Sequence, residues 1–245
     1  MAKYYCVLLD ADNTLLDFDA AESKALQETF EHFGIEASSE NCAKYREING
    51  ALWRQLEKGE LRREKLLQER FARLLSALGQ AGDGAEMNRF YLEKLATHAD
   101  VLPDAPEVVR ELAEVATLAV VSNGVEAVQK QRIADSGLAQ WMEGVFISEQ
   151  LGCEKPNRRF FEQALRELGV ENRKRVLVVG DSLGGDIQGG INAGLDTCWA
   201  NLRGETNTTG IQPVYEIHQL DELYKIIMEE EELTNVGNKN RKHMV

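Results

Sequence analysis

The sequence has few of the residues that form disulfide frameworks, thiolate metal sites or membrane spans. It contains four cysteines in 245 residues, and none of them has the C-x-x-C spacing of zinc or redox sites. Four prolines and the lack of a low-complexity stretch give no sign of a linker. No apolar run approaches the roughly 18 residues that cross a bilayer, and no secretion signal is recognisable at the N-terminus. We therefore expect reduced thiols, no membrane partner and a cytoplasmic location.

Basic residues are also scarce relative to acidic ones. Lys and Arg number 28 against 41 Asp and Glu, which gives a formal net charge of −13. Nucleic acid polymers and anionic membranes bind to basic surfaces, so the charge argues against both as partners. A small phosphorylated metabolite remains compatible, because lysine, backbone amides and a bound metal can neutralise an anion locally. The four histidines have no ligand spacing, and no zinc site is predicted.

Apolar residues are plentiful enough for a substantial core. They make up 43% of the chain, and the run from Tyr4 to Leu9 predicts a strand buried on both faces. Amphipathic helical segments then occupy residues 17–99 without a strand signal, which predicts a helical cap over the strand ends. Asp19 with Glu22 resembles a capping box at the first helix, and Gly34 can end that helix.

From Pro103 onward, helical patterns alternate with short apolar runs. The predicted strands cover 117–121, 145–147, 175–179 and 197–200, with helices between them that include one from Leu183 to Ala193. This succession predicts an α/β fold with a doubly wound parallel sheet, a Rossmann-like core. We expect that core to comprise residues 1–16 and 100–232, with the inserted cap at 17–99 and a flexible tail at 233–245.

Polar side chains follow four of the predicted strands. Asp10 and Asp12 come directly after the first, and the others are Ser122 with Asn123, Lys155 and Asp181. Ligands of parallel sheets bind beyond the carboxyl ends of the strands, so these groups are predicted to converge on one site. Several also have a simpler interpretation: Asp10 and Asp12 or Ser122-Asn123 as caps of a following helix or turn, Lys155 as a surface residue, and Asp186 in the last predicted helix as an ordinary helix acid.

In chain order, these residues form a set of motifs. Asp10-x-Asp12-x-Thr14, Ser122, Lys155-Pro156 and Gly180-Asp181-x-x-x-x-Asp186 resemble the four motifs of the haloacid dehalogenase-like hydrolase superfamily. The resemblance spans nearly the whole chain, and the helical insertion after the first motif resembles a C1-type cap. It implies a Mg²⁺-dependent phosphomonoester hydrolase that forms an aspartyl-phosphate intermediate.

The resemblance also implies a role for each motif residue. Asp10 would be the nucleophile, and Asp12 the general acid and base. The implied Mg²⁺ ligands are Asp10, the backbone carbonyl of Asp12, and Asp181, whereas Asp186 would lie near the metal or brace the lysine. The implied phosphate-binding groups are the Ser122 hydroxyl, the Asn123 backbone amide and the Lys155 ammonium. Thr14 would orient Asp10 or its neighbours through a side-chain hydrogen bond.

Two segments resemble one particular group within this superfamily. Asp10-Ala-Asp-Asn-Thr-Leu-Leu-Asp-Phe18, with Asn13 where many relatives have glycine, looks most like the pyrimidine 5′-nucleotidases that act on noncanonical pyrimidine nucleotides. The cap stretch from Leu52 to Leu61 fits the same group, which implies a nucleoside monophosphate as substrate. Phe18 or Trp53 could stack on its base, although Trp53 could equally be part of the cap core.

Other functions remain open at this stage. The same motifs could serve a sugar phosphomutase, or a sugar or phosphoglycolate phosphatase, and exclusion of water by the cap separates mutase from hydrolase. A noncatalytic scaffold is a third alternative, since fold does not fix function. Asp12 argues against dehalogenation, because an acid at this position serves a phosphoester leaving group. The sequence makes no prediction of oligomeric state.

Overall fold

The centre of the molecule is one sheet of six parallel strands. The computed structural model describes residues 2–228. The strands are β1 (Cys6–Leu9), β2 (Thr117–Ser122), β3 (Gly144–Ile147), β4 (Val176–Gly180), β5 (Asp196–Ala200) and β6 (Tyr215–Ile217). Their order in the sheet is β3-β2-β1-β4-β5-β6. The sheet therefore starts at its middle and winds outward in both directions, as predicted for a doubly wound fold.

Helices cover both faces of the sheet and form the cap. They are α1 (Phe18–His32), α2 (Ser39–Glu57), α3 (Arg63–Ala77), α4 (Gly84–Ala96), α5 (Ala105–Ala113), α6 (Glu126–Asp135), α7 (Ser148–Leu151), α8 (Arg158–Glu167), α9 (Gln188–Ala193) and α10 (Glu222–Met228). A π-helical turn, Leu183–Ile187, runs directly into α9.

The central strands alternate their side chains between two separate cores. Val7 and Leu9 of β1 pack into one hydrophobic cluster, whereas Cys6 and Leu8 pack into the cluster on the opposite face. Each of these residues is fully buried. Because both faces are covered, the strand must be apolar at every position, which explains why an unbroken apolar run predicted it.

The cap has a hydrophobic core of its own. Helices α1 to α4 bury a cluster that includes Phe30, Tyr45, Phe71 and Tyr91. The two linkers between the cap and the sheet, which contain Asp17 and Asp100, lie side by side. The Asp17 N–H donates to the Asp100 carbonyl at 2.9 Å. The division of the chain at residues 17 and 99 remains our proposal for the domain boundaries.

The first cap helix begins differently from the prediction. Its N-cap is Asp17, whose carboxylate accepts from the Ala20 N–H at 3.0 Å, and Asp19 lies exposed in the first turn. The linker contact to Asp100 fixes Asp17 just ahead of the helix, so the predicted capping box of Asp19 and Glu22 is wrong. Gly34 follows the helix with a φ of +68°, as expected of a terminating glycine.

Several smaller elements were not predicted. Strand β6 has three residues and helix α10 has seven, both too short for a clear periodic pattern. The predicted helix from Leu183 to Ala193 is divided into the π-helical turn and α9. The predicted tail at 233–245 lies outside the described residues. Within residues 2–228, no helix is both long and apolar enough to cross a membrane.

Candidate active site

A buried lysine connects the ends of three strands. Lys155 donates from Nζ to Asp10 Oδ1 at 2.7 Å, to Asp186 Oδ1 at 2.6 Å and to the Val121 carbonyl at 2.8 Å. Asp10 directly follows β1, Val121 belongs to β2, and Asp186 lies in the turn that follows β4. Since β1 lies between β2 and β4 in the sheet, the predicted convergence of strand ends is observed.

Three carboxylates crowd this position. One oxygen from each of Asp10, Asp181 and Asp186 lies within 4.8 Å of the other two. Burial raises the pKa of Asp10 to about 7 against the attraction of Lys155, and it raises the pKa of Asp181 well above its usual value, with Asp10 and Asp186 adding to the effect. When all three carboxylates are ionised, the cluster carries more negative charge than Lys155 neutralises. Hard oxygen ligands with excess negative charge fit a Mg²⁺ ion.

The charge of Lys155 is itself maintained by this cluster. Burial alone would lower the pKa of the ammonium, but the attraction and hydrogen bonds of Asp10 and Asp186 outweigh it and raise the pKa. The Asn123 side chain fixes the backbone at Lys155: Nδ2 donates to the Lys155 carbonyl and Oδ1 accepts from its N–H, both at 2.9 Å. These two hydrogen bonds fix the backbone from which the Lys155 side chain extends. The sequence did not indicate this contact of the Asn123 side chain.

The two remaining motif hydroxyls are in different situations. Ser122 Oγ accepts from the Gly124 N–H at 3.0 Å and from Gln129 Nε2 at 2.8 Å. Thr14 is fully buried, and its hydroxyl has no hydrogen-bond partner among the described residues. The predicted hydrogen bond of Thr14 to Asp10 or its neighbours is therefore not formed, because no acceptor among the described residues lies within hydrogen-bonding geometry of this buried hydroxyl.

Asp12 is held by helix α6 and lies apart from the carboxylate cluster. Its Oδ1 accepts from Arg132, and its Oδ2 accepts from Gln129 Nε2 at 2.9 Å. Its backbone carbonyl remains a predicted metal ligand. The next residue, Asn13, has a φ of +59°, a conformation that asparagine and glycine tolerate better than most residues.

A cavity of about 500 Å³ separates the strand ends from the cap. Asp10, Lys155 and Asp181 line it from the sheet, and both predicted cap residues, Phe18 and Trp53, line it from above. Trp53 also packs against the small cap cluster around Leu52, Leu56 and Leu66, so its two interpretations are compatible. The cap wall further includes Glu22, Arg46, Asn49, Arg54, Glu57 and Arg70, none of which the sequence predicted as a site residue.

Part of this wall is a polar cluster in which Glu22 and Asn49 are buried and Arg46 is exposed. Glu22 accepts from Arg46 Nε at 3.1 Å and from Asn49 Nδ2 at 3.4 Å. Burial raises the pKa of Glu22, although its hydrogen bond to Arg46 opposes the shift. Arg70 donates to Asn88 Oδ1 at 2.6 Å and lies over the Tyr91 ring, 4.8 Å from its centroid. The cap therefore presents fixed polar groups as well as aromatic rings.

The cap contacts the core on two sides of the cavity. Glu57, at the end of α2, accepts from Ser182 Oγ at 2.7 Å. Arg63, at the start of α3, is buried and donates to the Gly124 carbonyl at 2.8 Å. These contacts join the cap to the segments that follow β4 and β2, the same segments that carry Asp181 and Ser122.

The family model of haloacid dehalogenase-like hydrolases matches residues 4–194. The chain belongs to this family. Among haloacid dehalogenase-like hydrolases, pyrimidine 5′-nucleotidase PynA of Streptococcus pneumoniae is 39% identical over 90% of this chain and 93% of PynA. Pyrimidine 5′-nucleotidase YjjG of Escherichia coli is 32% identical over 92% of this chain and 98% of YjjG. The predicted class, phosphoric monoester hydrolase, is the class of both relatives.

A solved structure in the same family extends the comparison. The magnesium-bound crystal structure of the HAD-hydrolase YfnB from Bacillus subtilis has a TM-score of 0.88 and 38% identity, over 91% of this chain and 98% of YfnB. That crystal structure reveals an interdomain movement in YfnB. The family resemblance and the α/β fold class predicted from the sequence are thus confirmed.

Proposed function

We propose that the protein is a Mg²⁺-dependent phosphatase that hydrolyses pyrimidine nucleoside 5′-monophosphates through an aspartyl-phosphate on Asp10. The observation that carries the proposal is the cavity, which places a buried carboxylate and ammonium pair, Asp10 and Lys155, beneath a wall that contains Phe18 and Trp53. Its volume lies in the range of about 300–1,000 Å³ that suits small-molecule ligands. The two nucleotidase relatives support the base preference.

Asp10 is suited to nucleophilic attack. Lys155 holds one of its carboxylate oxygens at 2.7 Å, so the carboxylate is oriented before substrate arrives. An oxygen of Asp10 forms a bond to phosphorus while the bond from phosphorus to the ester oxygen breaks. Asp12, in its protonated form, gives its proton to the departing 5′-oxygen and becomes a carboxylate, which then takes a proton from the water that attacks the aspartyl-phosphate. The products are nucleoside, phosphate and the original Asp10 carboxylate.

The transferred phosphoryl group requires positive charge and donors around it. Lys155 supplies an ammonium, and the Ser122 hydroxyl and Asn123 backbone amide supply hydrogen-bond donors. Asp10, Asp181, Asp186 and the Asp12 carbonyl would hold Mg²⁺, which when bound neutralises phosphoryl oxygens as a Lewis acid. Asp186 would then have two roles, as a metal ligand and as the partner of Lys155, which its Oδ1 contacts.

The cap is the proposed site of base selection. Phe18 and Trp53 offer faces for stacking, and the cluster of buried Glu22 and Asn49 with exposed Arg46 offers polar groups for the base edge. A site that hydrogen-bonds its substrate rejects analogues that lack the matching groups, because buried polar atoms are then left unpaired.

Phosphate release from a substrate panel tests the proposal. Purified protein with Mg²⁺ would be given UMP, dUMP, dTMP, purine monophosphates, phosphoglycolate and hexose phosphates, beside an Asp10→Asn control. We expect release from the pyrimidine monophosphates and none from the control. Release mainly from phosphoglycolate or hexose phosphates would refute the base preference, and transfer of the phosphoryl group to a sugar hydroxyl would indicate a mutase.

A further inference from the structure

Arg132 is a fully buried arginine in helix α6 whose guanidinium contacts the side chain of Asp12. Its Nη1 donates to Asp12 Oδ1 and, at 3.0 Å, to Gln129 Oε1. Its Nε donates at 3.0 Å to the carbonyl of His98. A buried charge of this kind has a high desolvation cost, so its neighbours must compensate it. Here the compensating carboxylate is the proposed general acid and base.

Gln129 completes the hold on Asp12. Its Nε2 donates to Asp12 Oδ2 at 2.9 Å and to Ser122 Oγ at 2.8 Å, and its Oε1 accepts from Arg132. Both oxygens of Asp12 are therefore engaged by side chains one turn apart on α6. Since Gln129 also contacts Ser122, the proton-transfer group and the proposed phosphate-binding hydroxyl share one support.

The same guanidinium contacts the second linker between the cap and the core and lies over the first residue of the helix that follows the first linker. His98 lies in the second linker, after α4. Phe18 is the first residue of α1, after the first linker, and its ring centroid lies 5.6 Å from the Arg132 guanidinium carbon. The linkers are also joined to each other by the hydrogen bond from Asp17 to Asp100. Asp12 is thus connected, through Arg132, to the segments that join the cap to the core.

We propose that Arg132, with Gln129, is a positioning residue that sets Asp12 for proton transfer to the leaving oxygen. The inference rests on the proposed function, because it concerns the step in which the bond from phosphorus to the 5′-oxygen breaks and Asp12 protonates that oxygen. Proton transfer requires the donor within about 2.6–3.2 Å of its partner. Because Gln129 and Arg132 hold both oxygens of Asp12, its carboxyl group has little freedom to move relative to the strand ends.

A purely structural role for Arg132 predicts a different pattern of defects. Loss of a buried ion-pair partner destabilises a fold, and a general distortion of the site would slow the cleavage of every phosphomonoester alike. Loss of proton transfer depends on the leaving group instead. An alkoxide departs slowly without a proton, whereas p-nitrophenolate is a stable anion and needs none.

The test compares the two leaving groups in Arg132→Met and Gln129→Ala, with Lys130→Met as the matched control. Lys130 is an exposed cation on the same helix. With Mg²⁺ present, kcat/KM would be measured for UMP and for p-nitrophenyl phosphate, since kcat/KM reports the steps through departure of the leaving group. We expect Arg132→Met to lose about 100-fold or more on UMP, the scale of general acid catalysis, and less than about tenfold on p-nitrophenyl phosphate. Gln129→Ala should show the same split to a smaller degree, and Lys130→Met none.

Equal losses on both substrates in the two variants would overturn the proposal. Thermal melting identifies a variant that fails to fold, and if Arg132→Met does so, Gln129→Ala decides the question by the same ratio. A wild-type protein that cleaves no pyrimidine nucleotide would contradict the proposed function alone. The comparison would then use the alkyl phosphomonoester that the wild type does cleave.

Discussion

Lys155 and Asp10 form a buried ion pair, with Nζ 2.7 Å from Oδ1, and the same ammonium lies 2.6 Å from Asp186 Oδ1. A lone ammonium in this position would be costly, and so would the two carboxylates without it. The pair therefore has two consequences: it fixes the proposed nucleophile, and it offsets part of the repulsion among the acids.

Replacement of Lys155 by Met should abolish activity and destabilise the metal-free protein. The ammonium neutralises Asp10 and Asp186, and removal of one partner of a buried pair typically costs about 3–5 kcal/mol. Protonation of the acids can recover part of that loss. Chemical denaturation in EDTA measures the effect, with exposed Lys174→Met as control. Equal stability of the two variants would contradict the structural role of Lys155.

Metal-free stability should fall as pH rises from about 4 to about 7. Burial raises the pKa of Asp10 to about 7 in the fold, so the unfolded chain loses this proton at a lower pH than the folded protein does. Because the folded protein then binds more protons than the unfolded chain, its free energy of unfolding decreases as pH rises. Asp181 has a raised pKa and acts in the same direction. Asp10→Asn should therefore make the fall shallower in denaturation curves recorded in EDTA. A slope unchanged by Asp10→Asn would show that Asp10 ionises normally in the fold.

Magnesium should stabilise the fold at pH 7 and lose this effect in Asp181→Asn. A ligand that binds only the native state, at a concentration of 100 times its Kd, adds about 2.7 kcal/mol to the free energy of unfolding. Here the stabilisation would come from the removal of repulsion among the carboxylates. Melting temperatures with and without Mg²⁺ measure the shift, and Glu167→Gln, an exposed acid in α8, is the control. An equal Mg²⁺ shift in wild type and Asp181→Asn would place the ion elsewhere.

Trp53→Ala should weaken nucleotide binding more than it weakens chemistry. The indole lines the cavity from the cap, and stacking of aromatic rings contributes about 0.5–1.5 kcal/mol beyond burial of area. We expect KM for UMP to rise by up to about tenfold, with kcat/KM for p-nitrophenyl phosphate nearly unchanged. Equal effects on both substrates would assign Trp53 to cap packing alone.

The sequence predicted those parts of the molecule in which local pattern and environment agree. Strands β1, β2 and β4 are apolar runs because both of their faces are buried, and Asp10, Lys155 and Asp181 follow strand ends that must meet at one edge. Strand β6 was missed because three residues, of which only Ile217 is fully buried, are too few to form a pattern. The helix start at Asp17 follows the local rule for an N-cap aspartate, but Asp19 satisfies the same residue preference two positions later, and the local pattern did not separate the two.

The site residues that the sequence predicted are recognisable from local motifs, whereas those it missed depend on tertiary packing. Arg132 and Gln129 have the spacing of an ordinary helix face, and only the packing of α6 against the first motif and the cap linkers buries them against Asp12. The polar cap wall around Glu22 depends in the same way on the packing of α1 against α2. Motif residues are readable from sequence, whereas the groups that position them are set by tertiary structure.

The most direct test of the central claim is mass spectrometry of the protein quenched in acid during turnover of UMP with Mg²⁺. An aspartyl-phosphate mechanism predicts that the peptide containing Asp10 gains the mass of one phosphoryl group, and that Asp10→Asn shows neither the adduct nor phosphate release. Phosphate release that persists in Asp10→Asn, or an adduct on a different residue, would contradict the account.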